Sequence, residues 1–483
     1  MIHQVGKEGY GLWRIVLSLI FYFLILSQTI DSGSLRYISF FSARKDRHSL
    51  LGIVASSQWF FWAFGCLTIL SLLFFAPSIA SFLNIPAADI NEFKQILAIL
   101  GFAVGLGIAF SLYPTILFSK ERFVEANLLK IFIEIVRFAI ILIMVLNGKG
   151  LIGLAYAFLA ASVLSAILNF LLNVIFVPDI PIIPSRVNSD HLKKLVFYGS
   201  GSLIVVMGGF LGLGIDNFII AKTKGLVFVA VYGIAALFAE KILSTIPHLF
   251  SVARPRTAAF HATGDSESLR GLISRQLIYS SIVASAVLTF LFVFGGNFIF
   301  FWVGKGFGDA VPVLWALSLG IYFEIAQRPT SEWFFAVGRQ HHLGFFRIAE
   351  GLLHVGLSIL LVFKMGIIGV AIGFAAAKIA VNILLPFYAA RVFSRSYWWY
   401  VKPMVVSFSA SLAVIMAAWL SGWLGSWTEI NIFSIVKNIF LFGLYYVTCL
   451  FGLFYLLRIK ILFLRPITAR GEDTDLTDQI SSG

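Results

Sequence analysis

Charged residues are scarce in this chain of 483 residues. Asp, Glu, Lys and Arg make up 12% of it, whereas hydrophobic residues make up 59%. A soluble domain carries about 25% charged residues. There is too little polar surface to cover an aqueous fold. The composition therefore excludes a soluble globular protein and predicts that lipid is the solvent.

The residue types that build most catalytic and metal sites are also few. Eight histidines are scattered along the chain, and two cysteines, Cys66 and Cys449, lie in apolar runs. We expect both cysteines to be small packing residues and not a disulfide. The sequence contains no metal-ligand cluster, nucleotide-binding loop or nucleophile triad. Neither a cofactor nor an enzyme mechanism is therefore predicted.

Basic residues exceed acidic ones, which gives a formal net charge of +13. They lie mostly in short loops between apolar runs, so the excess does not predict binding to nucleic acid. The loops that follow odd-numbered runs hold most of them, Arg254 and Arg347 included. The positive-inside rule places these loops and the C-terminus in the cytoplasm.

Long apolar runs are what the sequence has in abundance. A run of about 20 residues spans a bilayer as a helix, because a backbone in lipid must satisfy its own hydrogen bonds. The chain is therefore predicted to be an all-α, polytopic membrane protein. Its thirteen predicted spans lie near 11–31, 52–76, 96–118, 128–147, 152–177, 197–222, 226–250, 276–302, 312–336, 347–364, 366–390, 404–424 and 437–457.

The second half of the chain repeats the first. Gly150-Leu151-Ile152-Gly153-Leu154-Ala155 returns as Gly366-Ile367-Ile368-Gly369-Val370-Ala371, and Glu134 returns at the same offset as Glu350. The further matches are Pro114-Thr115 with Pro329-Thr330, Tyr10-Gly11 with Tyr232-Gly233, and Ser49-Leu50 with Ser268-Leu269. Many transporters consist of two such repeats with a binding site between them. The repeat predicts two pseudo-symmetric six-helix lobes.

The first copy is one helix shorter than the second. Span 197–222 precedes Tyr232-Gly233, whereas only nine residues precede Tyr10. We therefore expect that a first helix is missing through a misplaced start or a truncation. The predicted domains are an N-terminal lobe, a C-terminal lobe, two appended transmembrane helices, and a cytoplasmic tail with a disordered end, at 1–177, 178–391, 392–458 and 459–483.

Charged side chains within the spans are the candidate site residues. A charge at the bilayer centre costs roughly 2.5–3.5 kcal/mol, so such a residue usually faces water or a partner. The candidate substrate-binding cations are Lys241, Arg137, Lys378, Arg328 and Arg14. The candidate ion-coupling carboxylates are Glu324, Glu134, Glu240 and Asp216.

Two sets of these residues also have a structural interpretation. Glu134 and Arg137 are three residues apart on one predicted helix. Glu324, Arg328 and Glu332 follow one another at intervals of four. Opposite charges at these spacings can neutralise each other, so internal pairing is the alternative to a functional role.

Alternatives also stay open for the remaining candidates. Lys241 could pair with a carboxylate on another helix, because its neighbour Glu240 points about 100° away on a helix. Arg14 lies close to the start of its span and could extend to the membrane surface. Lys378 replaces Ser162 of the first copy, and Asp216 could serve as a helix-end or ion-pair residue.

Several stretches of the sequence are typical of one family of transporters. They are Val5-Gly6-Lys7-Glu8-Gly9-Tyr10-Gly11-Leu12-Trp13, Arg36-Tyr37, Ile215-Asp216-Asn217-Phe218-Ile219-Ile220, Tyr232-Gly233 and the two Gly-x-x-Gly-x-Ala stretches. In these the chain resembles bacterial polysaccharide flippases of the multidrug/oligosaccharidyl-lipid/polysaccharide exporter superfamily. The resemblance implies two six-helix lobes around a cationic cavity. Spans 404–424 and 437–457 match the two additional helices of the polysaccharide branch.

The resemblance also implies a function. The expected activity is translocation of a polyprenyl-diphosphate-linked oligosaccharide across the bacterial inner membrane by alternating access, for surface polysaccharide assembly. A wet cavity lined by Arg and Lys would replace the water around the phosphates. The expected partners are the lipid-linked oligosaccharide, membrane lipids and a coupling proton or sodium ion, with polysaccharide polymerase and glycosyltransferases as further ones.

Two other functions are alternatives. A cation-coupled multidrug exporter of the same superfamily is disfavoured by the appended helices and the intramembrane cations. A membrane glycosyltransferase or polymerase is a different class and would present catalytic residues on a sizeable external loop. The longest external stretch, near 77–95, holds only Asp89, Glu92 and Lys94 as charged residues.

Overall fold

A computed structural model describes residues 2–87, 89–180, 190–193, 195, 214–251, 253–420, 443 and 446. These residues form helices and their connecting turns, with no strand among them, and the predicted all-α class is confirmed. Most of the predicted span 197–222, the end of 404–424, nearly all of 437–457, and the tail 459–483 lie outside the described residues.

The first bundle contains the helices up to residue 176. They are α1 (Ile2–Ala43), α2 (Arg47–Phe82), α3 (Ile90–Ala109), α4 (Leu112–Ser119), α5 (Phe123–Leu146) and α6 (Gly150–Phe176). Within it α3 packs between α2 and α6, and α5 packs on α6.

The second bundle contains the helices from residue 215 onward. They are α7 (Ile215–Lys224), α8 (Leu226–Ser251), α9 (Arg254–Ala262), α10 (Ser266–Val303), α11 (Ala310–Ala326), α12 (Arg328–Ala336), α13 (Gln340–Val392) and α14 (Tyr397–Leu420). Helix α11 packs against α8, α10 and α13, and α14 packs on α10.

The chain is a multi-pass membrane protein. Among the described residues, eight helices are long and apolar enough to cross a membrane, or nine if the bent pair α11–α12 forms one span. This number differs from thirteen partly because helix α13, with 53 residues, contains both predicted spans 347–364 and 366–390. They meet at Gly366, whose φ of 63° favours glycine.

The sequence repeat reappears in the helix starts. Asp46 precedes α2 and accepts a hydrogen bond from the Ser49 backbone N–H at 3.0 Å. Asp265 precedes α10 and accepts one from the Ser268 N–H at 3.0 Å. Each carboxylate caps a long helix by satisfying a free N–H of the first turn. The two lobes therefore share the same helix N-cap, an Asp that accepts from a Ser backbone N–H, in addition to the repeated sequence motifs.

A break in a long helix recurs in both lobes. Helix α3 ends at Ala109 and α4 begins at Leu112, shortly before Pro114. In the second lobe α11 and α12 are bent by 41° at Gln327, just before Pro329. Proline is tolerated near a helix start, where its missing N–H would have no partner. The repeated Pro-Thr pair therefore marks a repeated interruption of the helix, with a recorded bend in the second lobe.

The two lobes meet mainly through α1, which contacts α8 and α7. Gly11 of α1 lies directly against Leu226 of α8: a Cβ atom at Gly11 would stand 2.1 Å from the Leu226 carbonyl oxygen. No larger residue fits there without a backbone shift, so a glycine is required at this crossing.

The continuously buried contact between the lobes lies along the first parts of α1 and α8, and Ser18 and Tyr22 of α1 extend it to α7. Residues 10–16 and 229–236 are buried without interruption. Beyond them, exposed residues recur on both helices, among them Phe21 and Gln28 of α1 and Lys241 and His248 of α8. The lobes therefore close against each other where these helices begin, which we term the closed end, and leave exposed helix faces toward the other end.

Candidate functional site

Arg14 and Glu240, predicted as separate site residues, form an ion pair between the lobes. Arg14 Nη1 lies 3.1 Å from Glu240 Oε2, and a second contact from Nη2 makes the pair bidentate. The side chain of Arg14 is 8% exposed and that of Glu240 is 32% exposed. Gly233 leaves the space for the guanidinium, since a Cβ atom there would lie 2.9 Å from Arg14 Nε. Arg14 therefore does not extend to the membrane surface.

Two lysines connect the lobes at the closed end. The Lys7 ammonium donates to the Gly306 carbonyl oxygen at 2.6 Å and lies over the Phe307 ring. The Lys222 ammonium lies 3.4 Å from the Asn84 side-chain oxygen. Lys7 of the first lobe thus reaches the loop after α10, and Lys222 of the second lobe reaches the loop after α2. The closed end is therefore held by polar contacts from both lobes.

Lys241 lies just beyond the Arg14–Glu240 pair, on the exposed part of α8. No ion-pair partner lies within 4.0 Å of its ammonium among the described residues. Ser244, Thr245 and His248 are also exposed and share its helix face by their spacing. We term these four residues the polar stripe of α8. Sequence analysis identified Lys241 but missed the other three, although a polar residue every three or four positions in an apolar span was visible.

Glu324 stands at the centre of a buried charged network in the second lobe. Arg347 donates to both of its oxygens, at 2.6 and 2.7 Å. The Lys378 ammonium lies 3.2 Å from Glu324 Oε2 and 2.6 Å from Glu350 Oε1. Arg347 also contacts Glu350 at 2.8 Å. Lys378 and Glu324, both candidates from the sequence, are therefore partners of each other.

The network continues along α12. Arg328 Nε lies 2.9 Å from Glu332 Oε1, and Arg328 Nη1 lies 3.9 Å from Glu324 Oε1, in agreement with the predicted spacing. Arg254 of α9 donates to the other oxygen of Glu332 at 2.8 Å. Four cations, Arg254, Arg328, Arg347 and Lys378, thus face three carboxylates, Glu324, Glu332 and Glu350. One positive charge is in excess.

The prediction that Arg347 lies in a loop is wrong. It belongs to the first turns of α13 and is buried between Glu324 and Glu350. The helix begins at Gln340, before the predicted span 347–364, and Arg347 can be buried in it because Glu324 and Glu350 neutralise its charge. Hydropathy alone could not show this, since it counts a paired arginine as a loop residue.

Arg137 pairs with Glu134 on α5, as their spacing predicted. The pair lies on a largely exposed helix, and the Arg137 guanidinium also stands 4.8 Å from the centre of the Phe158 ring. Neither residue is brought to the contact between the lobes. Their predicted roles in substrate binding and ion coupling stay predictions.

Asp216 lies in a buried group with His354 and Tyr232. His354 Nε2 is 3.0 Å from Asp216 Oδ1, and the two side chains are 1% and 0% exposed. The Tyr232 hydroxyl donates to Asp216 Oδ2. Asp216 is therefore more than a helix-end residue. Sequence analysis missed His354, although a histidine within an apolar run was the available signal.

Other features bear on what the protein can bind. No group of three or more His, Cys, Asp or Glu side chains among the described residues could hold a metal ion. Cys66 is exposed on α2, not packed inside. A cavity of about 530 Å³ beside α8 is lined by apolar side chains such as Phe238, Val287 and Phe290.

Comparison with known proteins places these observations in a family. Residues 45–312 match the model of the family described as polysaccharide biosynthesis protein. A Shigella flexneri protein proposed to be an O-antigen transporter is 23% identical over 393 residues, which cover 81% of this chain and 92% of that protein.

Solved structures show the same fold. An inward-facing multidrug transporter of the MATE family matches with a TM-score of 0.73 and 17% identity, covering 81% of this chain and 92% of that one. An outward-facing MATE structure gives 0.61 at 18% identity, over 81% and 90%. The lipid II flippase MurJ gives 0.66 at 16% identity, over 94% and 98%. The predicted two-lobe architecture is confirmed.

Proposed function

Because the chain belongs to the polysaccharide biosynthesis protein family, we propose that it is a flippase for a polyprenyl-diphosphate-linked oligosaccharide in the bacterial inner membrane. Glycosyltransferases would supply this substrate, and a polysaccharide polymerase would use it after translocation. The name of the Shigella relative supports an O-antigen-type glycan, and the shared MurJ fold supports a lipid-linked cargo. The protein acts as a transporter and not as an enzyme.

One observation carries the proposal: the lobes are closed at one end, and a cation without an ion-pair partner among the described residues lies just beyond the closure. Arg14 and Glu240 join the lobes there, and Lys241 follows on the exposed part of α8. This arrangement suits a carrier that exposes its site to one side at a time. The higher TM-score with the inward-facing MATE structure supports a conformation open to the cytoplasm.

The chemistry of the cargo explains the position of the cations. A diphosphate must lose much of its water to enter the space between the lobes, and charged donors replace that water. Lys241 offers a compact ammonium, and Arg14 offers a planar guanidinium that binds carboxylate or phosphate in the same bidentate way. The phosphate can therefore compete with Glu240 for Arg14. Release of Glu240 would loosen the contact between the lobes once cargo is bound.

The lipid tail needs a different environment. The apolar cavity beside α8 lies next to the helix that carries Lys241, and Ile242 is among its lining residues. Hydrocarbon fits such a surface without the cost of burying polar groups. The head would move through the space between the lobes while the tail stays on apolar surface or in lipid.

Substitution of Lys241 tests the proposal. In the native host, Lys241→Ala should reduce surface polysaccharide and cause lipid-linked oligosaccharide to accumulate on the cytoplasmic side. One charge-assisted hydrogen bond contributes about 1.5–3 kcal/mol, so a loss of about tenfold or more in transport at low substrate is expected. Lys241→Arg should retain most of the activity.

Lys364→Ala is the matched control, because Lys364 is another exposed lysine within an apolar helix, but far along α13. Its transport should equal that of the wild type at equal membrane levels. Normal translocation by Lys241→Ala would contradict the proposed cation site.

A multidrug exporter is the second candidate, since MATE transporters share the fold. Expression in cells that lack their own drug exporters separates the two functions. An exporter would raise resistance to cationic drugs without any change in surface polysaccharide. The flippase would change surface polysaccharide and leave drug resistance unchanged.

A further inference from the structure

We propose that Arg254 and Arg328 form a binding site for a phosphate group at the exposed edge of the charged network in the second lobe. We term these two residues the arginine pair. The phosphate can belong to a lipid headgroup or to a free anion, since both present the same acceptor oxygens. The proposal goes beyond the proposed function, because it depends neither on the cargo nor on alternating access.

Arg328 has donors that the protein itself does not use. Its Nε lies 2.9 Å from Glu332 Oε1 without the alignment of a hydrogen bond, and its Nη1 lies 3.9 Å from Glu324 Oε1, which is too far for one. Its guanidinium thus makes no hydrogen bond to the residues that the structure describes. The side chain is nevertheless only 24% exposed. Donors withdrawn from water without an acceptor are costly, so this arginine needs an acceptor from outside the lobe.

Arg254 stands on the other side of the same carboxyl group. Its Nε and Nη2 donate to Glu332 Oε2 at 2.8 and 2.5 Å, and its guanidinium lies 4.7 Å from the centre of the Phe335 ring. These contacts fix the plane of the guanidinium but leave Nη1 without a hydrogen bond to any described residue. The side chain of Arg254 is 40% exposed, whereas that of Glu332 is 3% exposed. Glu332 thus holds both guanidinium groups in place and is itself covered by them.

The charge balance of the network also favours an anion at this edge. Among the described residues, four cations face three carboxylates. All three carboxylates are at most 6% exposed, and Arg347 and Lys378 are at most 10% exposed. The exposed charge of the network therefore belongs to the arginine pair. An excess charge that water solvates only in part is costly, and a bound anion would balance it.

The local sequence adds to the positive charge. Arg254-Pro255 starts α9, and Arg328-Pro329 starts α12, each a helix of nine residues. The start of a helix carries partial positive charge, which opposes a basic side chain and favours an anion. Two arginines at two helix starts are therefore unfavourable unless negative charge lies close by. Glu332 supplies one such charge for both, and a phosphate would supply more.

Phosphate is the anion that these donors fit. Guanidinium groups bind phosphate through planar pairs of N–H donors, and arginine is the preferred residue for this contact. A phosphate has more acceptor oxygens than a carboxylate, so it can accept from Arg254 and Arg328 at once while Glu332 keeps its own contacts. A halide ion would balance the charge but would leave the planar arrangement of the donors unused.

The position of the arginine pair brings it close to lipid phosphates. Arg254 follows shortly after the end of α8 at Ser251, which is about 15 Å along the helix from Lys241. The positive-inside rule predicts that the loop of Arg254 is cytoplasmic. Lipid headgroups surround the ends of membrane-spanning helices. A lipid phosphate bound here would join α9 to α12 at the membrane surface and leave Lys241 free for cargo.

Titration of the purified full-length protein with two phosphate sources tests the proposal. The protein carries Lys241→Ala, so that the proposed cargo cation does not contribute to binding. One series uses inorganic pyrophosphate, and the other uses dioctanoyl phosphatidic acid, with dioctanoylglycerol as the same lipid without phosphate. The ionic strength is kept constant, because salt screens exposed charges. The dissociation constant follows from the rise of the thermal unfolding midpoint with ligand concentration, and native mass spectrometry counts the bound lipid.

Substitution of either arginine should weaken binding. Arg254→Gln and Arg328→Gln should each raise the dissociation constant about tenfold or more, because each removes charge-assisted hydrogen bonds. Arg122→Gln is the matched control. Arg122 pairs with Glu125 at 2.9 Å and lies 5.0 Å from the centre of the Phe176 ring, but it belongs to the first lobe. Its substitution should leave the dissociation constant unchanged.

Glu332→Gln should have the opposite effect. The Glu332 carboxylate competes with phosphate for the same guanidinium donors, so its loss should lower the dissociation constant. A merely structural ion pair predicts lower stability without any gain in binding. If Glu332→Gln does not elute as a single species in size-exclusion chromatography, the two arginine variants decide.

The two ligands separate the possible sources of the phosphate. Binding of phosphatidic acid without pyrophosphate would assign the site to a lipid headgroup, and binding of pyrophosphate alone would assign it to a free anion. The proposal is overturned if neither ligand binds, if phosphatidic acid binds no better than dioctanoylglycerol and pyrophosphate does not bind, or if both arginine variants bind as tightly as the background. Because the background lacks Lys241, such a failure would leave the separate transport test of Lys241→Ala unaffected.

Discussion

At the scale of single residues, two glycines set how closely the lobes approach. Gly11 allows α1 to touch the Leu226 backbone, and Gly233 makes room for the Arg14 guanidinium. Both belong to the repeated Tyr-Gly pair. The repeat alone could not show why the glycines matter, because the contact is made by residues outside the repeated motif.

The Gly11→Ala variant should destabilise the contact between the lobes. The new Cβ atom would overlap a backbone oxygen, which cannot move as a side chain can, and overpacking typically costs about 1–3 kcal/mol. Gly356→Ala is the control, since no atom lies within 4 Å of a Cβ atom there. Thermal unfolding in detergent should show a lower midpoint for Gly11→Ala only. Equal midpoints for both variants would contradict the packing argument.

Sequence analysis identified Arg14, Glu240, Lys378 and Glu324 because a charge within an apolar run is conspicuous. It could not identify their partners. Arg14 and Glu240 are 226 positions apart, and their contact depends on how two lobes dock. Spacing predicts a pair only within one helix, as for Arg328 and Glu332.

At the scale of helices, the charged network joins α9, α11, α12 and α13. Arg347→Ala should strongly destabilise the second lobe, because Glu324 and Glu350 would each lose a buried partner. Removing one member of a buried pair typically costs about 3–5 kcal/mol. Arg122→Ala, which breaks the exposed pair with Glu125, should change stability by no more than about 1 kcal/mol. The measurement is thermal unfolding of both variants. Similar decreases of the unfolding midpoint in Arg347→Ala and Arg122→Ala would contradict the predicted difference between the buried and the exposed ion pair.

The capping carboxylates Asp46 and Asp265 stabilise the first turns of α2 and α10, and this stabilisation depends on pH. Hydrogen bonds from the Ser49 hydroxyl and backbone N–H hold the pKa of Asp46 below its ordinary value. Bonds from the Ser268 backbone N–H and hydroxyl do the same for the pKa of Asp265. A lowered pKa in the folded state means that the stabilisation is present above the ordinary value and is lost as the pH falls through the lowered one.

Asp46→Ala should therefore lower the thermal midpoint at neutral pH, and its difference from the wild type should vanish in acid. Asp46→Ser can still cap the helix but does not titrate in this range, so its midpoint should exceed that of Asp46→Ala at every pH. A difference between wild type and Asp46→Ala that persists in acid would show that capping is not the cause.

Helix positions were more predictable than helix lengths. The apolar run near 226–250 corresponds closely to α8 (Leu226–Ser251), since hydropathy reports the part of a helix that lies in lipid. Helix α10 starts at Ser266, ten residues before its predicted span 276–302, because its polar first turns extend beyond the apolar segment. The bend at Gln327 was signalled by Pro329, but its size depends on packing.

At the scale of the whole molecule, the two lobes must separate at the closed end if access alternates. Ser18 and Asn217 face each other there across the lobes. A disulfide between Ser18→Cys and Asn217→Cys, in a background without native cysteines, should stop transport when oxidised. Reduction should restore it.

The single-cysteine variants serve as controls and should transport under both conditions. Cross-linking is verified by mass spectrometry of the linked peptides. Continued transport by a fully cross-linked protein would mean that α1 and α7 stay together throughout the cycle.

The uneven distribution of charge between the lobes has a consequence for biosynthesis. The buried network belongs to the second lobe, while Arg347 and Lys378 have Ile131 and Ser162 at the matching places of the first. Each unpaired charge opposes entry of its helix from the translocon into lipid by roughly 2.5–3.5 kcal/mol. Helices of the first lobe can therefore leave the translocon largely one after another, whereas α11 to α13 gain from leaving as a group, after their charges have met.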